Sequence, residues 1–127
     1  MTARILLIED DSASMELMLY LLKSFGFTTI FAFDAEDGLR LAGSTAPDLI
    51  LCDVNLPGMS GLALMRNLKQ LSGLRRVPII AVTAMAMAGD EDGLMSLGFD
   101  GYIGKPIDPE QLHEQLLSYL ELDQRAK

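Results

Sequence analysis

Short, nearly unbroken apolar runs alternate along the chain with longer stretches in which apolar residues recur every three or four positions. The runs Arg4–Glu9, Thr28–Phe33, Leu49–Asp53, Pro78–Thr83 and Gly101–Lys105 predict five strands. Runs one, three and four are almost wholly Ile, Leu and Val, as a parallel sheet covered on both faces requires. Thr28–Phe33 carries the Thr, Ile and Phe that suit a pleated surface. Between the runs the spacing predicts helices near 12–25, 35–45, 60–72, 86–97 and 109–122. Start signals are Asp11 or Ser12, Asp34, Ser60, Asp90 within the fourth, and Asp108 with Pro109 at the first helical position. Gly26 and Gly98 stand where helix C-caps are expected. Five strands alternating with five helices imply an open, doubly wound α/β sandwich. No Pro/Ser-rich linker or repeat divides it, so a single domain over 1–127, with its core at 4–122, is expected.

The first helix is more apolar than core packing demands. Met18, Leu21, Leu22 and Phe25 form one stripe at i, i+3, i+4 and i+7, and Met15, Leu17, Leu19 and Tyr20 fall largely outside it. Scattered exposed apolar residues are common on soluble proteins. A cluster rich in Met and Leu nevertheless suits a docking patch for a helical partner.

Composition narrows the function classes. Of 127 residues half are apolar, ample for one core, and the mean hydropathy is +0.26. Ten basic against 18 acidic residues leave a net charge of −8, which opposes nucleic acid and anionic lipid surfaces. The apolar runs are far shorter than the ~20 residues a membrane crossing needs. Ile5–Ile8 leads straight into Glu9, Asp10 and Asp11, unlike a signal peptide. One cysteine cannot form an internal disulfide, which points to a reducing, cytoplasmic setting. Cys52 is expected to point into the core, and His113, the lone histidine, to be a solvated surface residue rather than a phosphodonor.

The chemistry collects at the strand ends. In a doubly wound sheet the C-terminal ends share one edge, and ligands bind outside it. Those ends carry Glu9, Asp10 and Asp11, then Asp34, Asp53, Thr83 and Lys105 followed by Pro106. Asp11 and Asp34 are best read as helix caps. Capping does not account for Glu9, Asp10 and Asp53 together. If the first and third strands are neighbours, three carboxylates crowd one corner, and at an effective dielectric of ~20 such charges repel by several kcal/mol. Mg²⁺ suits that corner, being hard and oxygen-seeking, and Lys105 adds a second positive charge. A carboxylate beside Mg²⁺, a lysine and a hydroxyl is a constellation for aspartyl-phosphate chemistry, with Asp53 attacking phosphorus. Thr83 could then donate a hydrogen bond to the product.

LLIEDD at 6–11, DLILCDVNLPGMSG at 48–61, PIIAVTA at 78–84 and GYIGKPI at 101–107, in that order, resemble the response-regulator receiver domain over residues 4–122. Within that family the chain looks like single-domain regulators of the CheY and DivK kind, and also like receiver modules of hybrid histidine kinases. The resemblance implies the flavodoxin-like strand order 2-1-3-4-5, with Asp53 as phosphoacceptor. It implies Mg²⁺ held by Glu9, Asp10, Asp53 and the backbone carbonyl of Asn55. Thr83 becomes the switch hydroxyl, Ala84 the small residue beside it, Tyr102 the switch aromatic, Lys105 the conserved-role lysine, and Lys105–Pro106 a cis bond. Ser60 stands where aspartate is more usual, and Glu9 replaces aspartate in a way common among DivK-like members. The implied partner is a histidine kinase or phosphotransfer protein, docking at Ser14, Leu17, Tyr20 and Ile107. A downstream protein would be met through the predicted helix 86–97, the fifth strand and the last helix, by a monomer or weak dimer. Such a domain is a phosphoacceptor switch, not a turnover enzyme. A receiver module excised from a hybrid kinase is the alternative.

Two other classes fit less well. Phosphatases of the haloacid-dehalogenase type use an Asp-x-Asp arrangement and a cap domain, whereas Asp53 is followed by Val54 and Asn55. A flavin module on this sheet needs a phosphate-cradling loop after the first strand, where Glu9, Asp10 and Asp11 would repel phosphate. The small run Ala84–Ala88, with Gly89 and Gly93, fits a segment that rearranges, and Pro57, Gly58 and Gly61 shape the turn after Asp53.

Overall fold

The computed structural model describes residues 3–53, 61–71, 74, 76–83 and 98–126. In chain order these form β1 (Arg4–Ile8), α1 (Ser12–Ser24), β2 (Thr28–Ala32), α2 (Ala35–Thr45), β3 (Leu49–Asp53), α3 (Gly61–Gln70), β4 (Ile79–Thr83), β5 (Gly101–Gly104) and α4 (Pro109–Ala126). Each apolar run became a strand: the first, second and fifth lose their last residue (Glu9, Phe33 and Lys105), the fourth loses Pro78 at its start, and the third is unchanged. The predicted helix at 86–97 lies outside the described residues, as do Asn55, Pro57, Gly58, Ser60 and Ala84–Asp90, so four helices stand where five were expected.

All strands pair in parallel in the order β2-β1-β3-β4-β5. Alternate side chains of a strand face opposite sides, so each central strand feeds two cores. Leu6, Ile8, Ile50, Cys52, Ile79 and Ala81 face α2 and α3, meeting Ala35, Ala42, Leu64, Met65 and Leu68. Ile5, Leu7, Leu49, Leu51, Ile80 and Val82 face α1 and α4, meeting Met15, Met18, Leu22, Leu112 and Leu116. That two-sided burial is why β1, β3 and β4 read as unbroken hydrophobic runs. Each such Leu or Ile contributes roughly 1.5–3 kcal/mol of transfer free energy.

Capping sets the helix ends. Asp11 accepts from the Ser14 N–H (2.8 Å), Asp34 from the Asp37 N–H (2.8 Å), and Asp108 from the Glu110 and Gln111 N–H groups (3.0 and 3.3 Å). α1 stops in a double closure: Gly26 N–H donates to the Lys23 carbonyl and Phe27 N–H to that of Leu22. Gly26 holds φ +92°, a left-handed geometry that glycine adopts without strain. α2 ends without a glycine, at Ala46 (φ 50°) before Pro47.

Two expectations about side chains are corrected. The buried stripe of α1 begins a turn earlier than the spacing suggested: Met15 is buried with Met18, Leu21 and Leu22, Leu19 is half-buried, and Phe25 is only half-buried. His113 is not simply solvated. It is half-buried, stacked on Phe25 with centroids 4.4 Å apart and planes 10° off parallel, with Phe27 edge-on at 6.3 Å.

Candidate functional site

The sheet order reverses direction between β1 and β3, and the crevice above the strand ends at such a point is where ligands sit in this architecture. Asp53 is the last residue of β3. Ile8 pairs with Cys52, so the next residue of β1's path, Glu9, stands beside Asp53, and its N–H donates to the Ala32 carbonyl (3.1 Å). Thr83 ends β4, and Lys105 follows β5, its N–H donating to the Thr83 carbonyl (2.9 Å). Parallel register brings four chain-distant residues together because every strand stops at the same level.

Side chains close the arrangement. Lys105 Nζ lies 3.3 Å from Glu9 Oε2 and 3.8 Å from Asp53 Oδ2, tying strand ends 96 residues apart. Glu9 Oε1 accepts from the Asp11 N–H (3.2 Å), and Asp11 caps α1, so the loop after β1 is fixed at both ends. Glu9, Asp53 and Thr83 are buried, whereas Asp10 is exposed. Carboxylate oxygens of Glu9, Asp10 and Asp53 all lie within 4.8 Å of one another. The Lys105–Pro106 peptide bond is cis.

Electrostatics follow from this crowding. Burial, then the neighbouring Asp53 charge, push the Glu9 carboxyl above its ordinary range, against the opposing Asp11 N–H and Lys105 ammonium. Asp11 is held below its ordinary range by the Ser14 N–H and hydroxyl. The Cys52 thiol, buried beside Asp53, is pushed up to about 12 and stays a protonated core group, as its apolar strand suggested. Three carboxylates against one ammonium leave excess negative charge around hard oxygen donors. Those donors fit a small divalent cation with water in its remaining positions.

Other candidate residues are placed as follows. Tyr102, on β5, is half-buried and packs toward the α2–α3 core. Leu17 and Tyr20 are 49% and 71% exposed on α1, Ser14 is half-buried at its first turn, and Ile107 packs against the α1–α4 core. Asn55 and Ala84 lie outside the described residues. The Asp11 N–H bond to Glu9 was not anticipated. Its only sequence signal is adjacency in the Glu-Asp-Asp run.

The response regulator receiver domain profile matches residues 5–117. The chain is a response-regulator receiver domain. This receiver domain is 41% identical over 120 residues to the polar-differentiation response regulator DivK of Brucella ovis, covering 94% of this chain and 98% of that protein. DivK of Brucella anthropi is 40% identical over the same coverage. Among solved structures, it superposes with TM-score 0.87 on the receiver domain of sensor histidine kinase PA1611 from Pseudomonas aeruginosa. That structure has a magnesium ion coordinated in its active site cleft; identity is 30%, covering 95% of this chain and 99% of that one. A CheY-like receiver domain from Methanospirillum hungatei gives TM-score 0.89 at 28% identity, covering 100% of both chains. Receiver domains are aspartate phosphoacceptors of two-component signalling, and this chain is a DivK-like and CheY-like member. The greater identity to DivK than to this sensor-kinase receiver domain makes the excised-module alternative the less favoured one.

Proposed function

We propose that Asp53 accepts a phosphoryl group from a phosphohistidine of a histidine kinase or phosphotransfer protein, in a Mg²⁺-dependent reaction, and that the acyl phosphate switches protein contacts. The observation that carries this is the convergence of Glu9, Asp10 and Asp53 oxygens within 4.8 Å, with Lys105 Nζ reaching both Glu9 and Asp53. Glu9, Asp10 and Asp53 would hold Mg²⁺, with the Asn55 carbonyl as a further ligand; when bound, the ion neutralises charge on the transferring oxygens. One Asp53 oxygen attacks phosphorus, the P–N bond to the donor imidazole breaks, and the imidazole takes up a proton. Lys105 stabilises the equatorial oxygens. Thr83 then donates to the phosphoryl group beside Ala84, and its inward move vacates space for the Tyr102 ring.

The remaining roles follow from this. Ser14, Leu17, Tyr20 and Ile107 form the donor docking face. The downstream protein is met through the face of β5, α4 and residues 86–97. The chain acts as one domain, a monomer or weak dimer in the cytoplasm, modifying itself rather than turning over an external substrate. Among the described residues no helix is long and apolar enough to cross a membrane. Acetyl phosphate tests the reading. With Mg²⁺ the protein should gain the mass of one phosphoryl group per chain, and chelation or Asp53→Ala should abolish the gain. An Asp53→Ala protein that labels like wild type, or steady phosphate release from diverse monoesters, overturns it.

A further inference from the structure

Among the described residues β5 is an outer strand, with β4 on one side only. Lys105 N–H donates to the Thr83 carbonyl, so the odd-numbered residues here turn their amides toward β4 and Tyr102 turns its amide off the open edge. That N–H donates to the hydroxyl of Tyr119, which reaches over the edge from α4. The Tyr119 ring is seated on Gly101. The place a Cβ would occupy at that residue is filled by Oη, Cζ and Cε1 of Tyr119, so the ring keeps this seat only over glycine and any side chain there would push it aside. Tyr119 itself is half-buried and packs against the core that holds Ile103, Leu112 and Leu116. One residue earlier, Asp100 accepts from Ile79 N–H (2.8 Å) and Lys69 Nζ (2.9 Å). The start of β5 is therefore held from β4 and α3 at Asp100 and from α4 at Gly101–Tyr102.

We propose that Tyr119 is a positioning residue of the switch: it clamps the β5 backbone at Gly101–Tyr102, so that the Tyr102 ring turns on a fixed strand and the turn is felt by α4. This rests on the phosphoacceptor reading, which makes Tyr102 the aromatic that moves. Ring and amide belong to one residue, so the backbone from which the ring turns is the backbone that Tyr119 holds. The acceptor of that N–H is on the helix rather than on the neighbouring strand. A side-chain event at β5 thus has a polar connection to α4 that apolar packing alone would not give.

Amide exchange and beryllofluoride, a phosphoryl mimic, followed by NMR, test this on the full chain. In Tyr119→Phe the Tyr102 amide should exchange roughly fivefold or more faster, with the β1 and β3 amides unchanged. Gly101→Ala, which displaces the ring but keeps its hydroxyl, should give the same loss. Beryllofluoride with Mg²⁺ should shift the amides of Tyr102 and of Leu116–Leu120 in wild type. In Tyr119→Phe it should bind with unchanged affinity, shift Tyr102, and leave Leu116–Leu120 in place. Unchanged Tyr102 exchange in both variants, or undiminished helix shifts in Tyr119→Phe, overturns the proposal. A wild-type protein that does not bind beryllofluoride overturns the phosphoacceptor reading and the relay to α4, while the exchange comparison still decides the clamp.

Discussion

Glu9 combines two demands that oppose each other. It is buried, it faces the Asp53 charge, and it is one of three carboxylates within 4.8 Å, so its proton is held more tightly in the folded chain than in the unfolded one. Below about pH 4.5, its ordinary value, Glu9 is protonated in both states and costs no stability. As pH rises past that value the unfolded chain ionises first, so stability falls as pH climbs toward the folded value and stays lower beyond it. Lys105, at 3.3 Å, offsets part of this penalty without cancelling it. Glu9→Gln should therefore be the more stable protein without metal at pH 7, by on the order of 1 kcal/mol, and show little advantage at pH 4. Saturating Mg²⁺ should stabilise wild type more than the variant and reverse the order. Urea unfolding at the two pH values, with and without Mg²⁺, measures all of this. A variant less stable than wild type at pH 7 without metal would mean that the Lys105 pairing outweighs burial.

Elements ending on sharp chemical signals were the legible ones. Asp11, Asp34 and Asp108 cap their helices as their position before apolar-periodic stretches suggested, and β1, β3 and β5 stop where their runs meet charge. That Glu9, Asp53, Thr83 and Lys105 come together at one edge was legible for the same reason, since each marks a strand end and the strands share that edge. Contacts across the fold carried no such mark. Met15 lies one turn before the stripe counted from Met18, and only α1's seat on the sheet shows it buried. The Phe25–His113 stack and the Tyr119–Gly101 fit join residues far apart in the chain. Ala46 ends α2 in a left-handed conformation where no glycine signals a stop. That contrast with Gly26 is testable. Gly26→Ala meets open space, so its cost is conformational, roughly 1 kcal/mol. Ala46→Gly should stabilise by about half as much, because relief at φ 50° is partly offset by the extra freedom of glycine in the unfolded chain. Urea midpoints moving the same way in both variants would contradict this.

At the scale of the whole molecule, the site and the exposed face of α1 lie at neighbouring parts of the same edge, since α1 starts at Ser12, directly after the Glu9–Asp11 loop. In the proposed reaction a phosphohistidine brings its phosphorus to Asp53, so the donor's own surface would rest on whatever borders that edge. Leu17 and Tyr20, 49% and 71% exposed, give α1 an apolar surface there, while Met15, Met18 and Leu22 on its other side hold it to the sheet. On that proposal one helix divides docking, on its exposed side, from folding, on its buried side. Leu17→Asp removes exposed apolar area and adds a charge to a chain already at −8, without touching the buried stripe. Stability should stay within about 0.5 kcal/mol of wild type. Labelling by acetyl phosphate, which needs no docking surface, should be unchanged. Transfer from a phosphorylated histidine phosphotransfer protein should slow by roughly tenfold or more, the loss expected when a central apolar contact of an interface is replaced by a charge. Equal transfer rates for the two proteins would place the donor elsewhere on this edge. A parallel fall in acetyl phosphate labelling would instead trace the effect to the chemistry at Asp53.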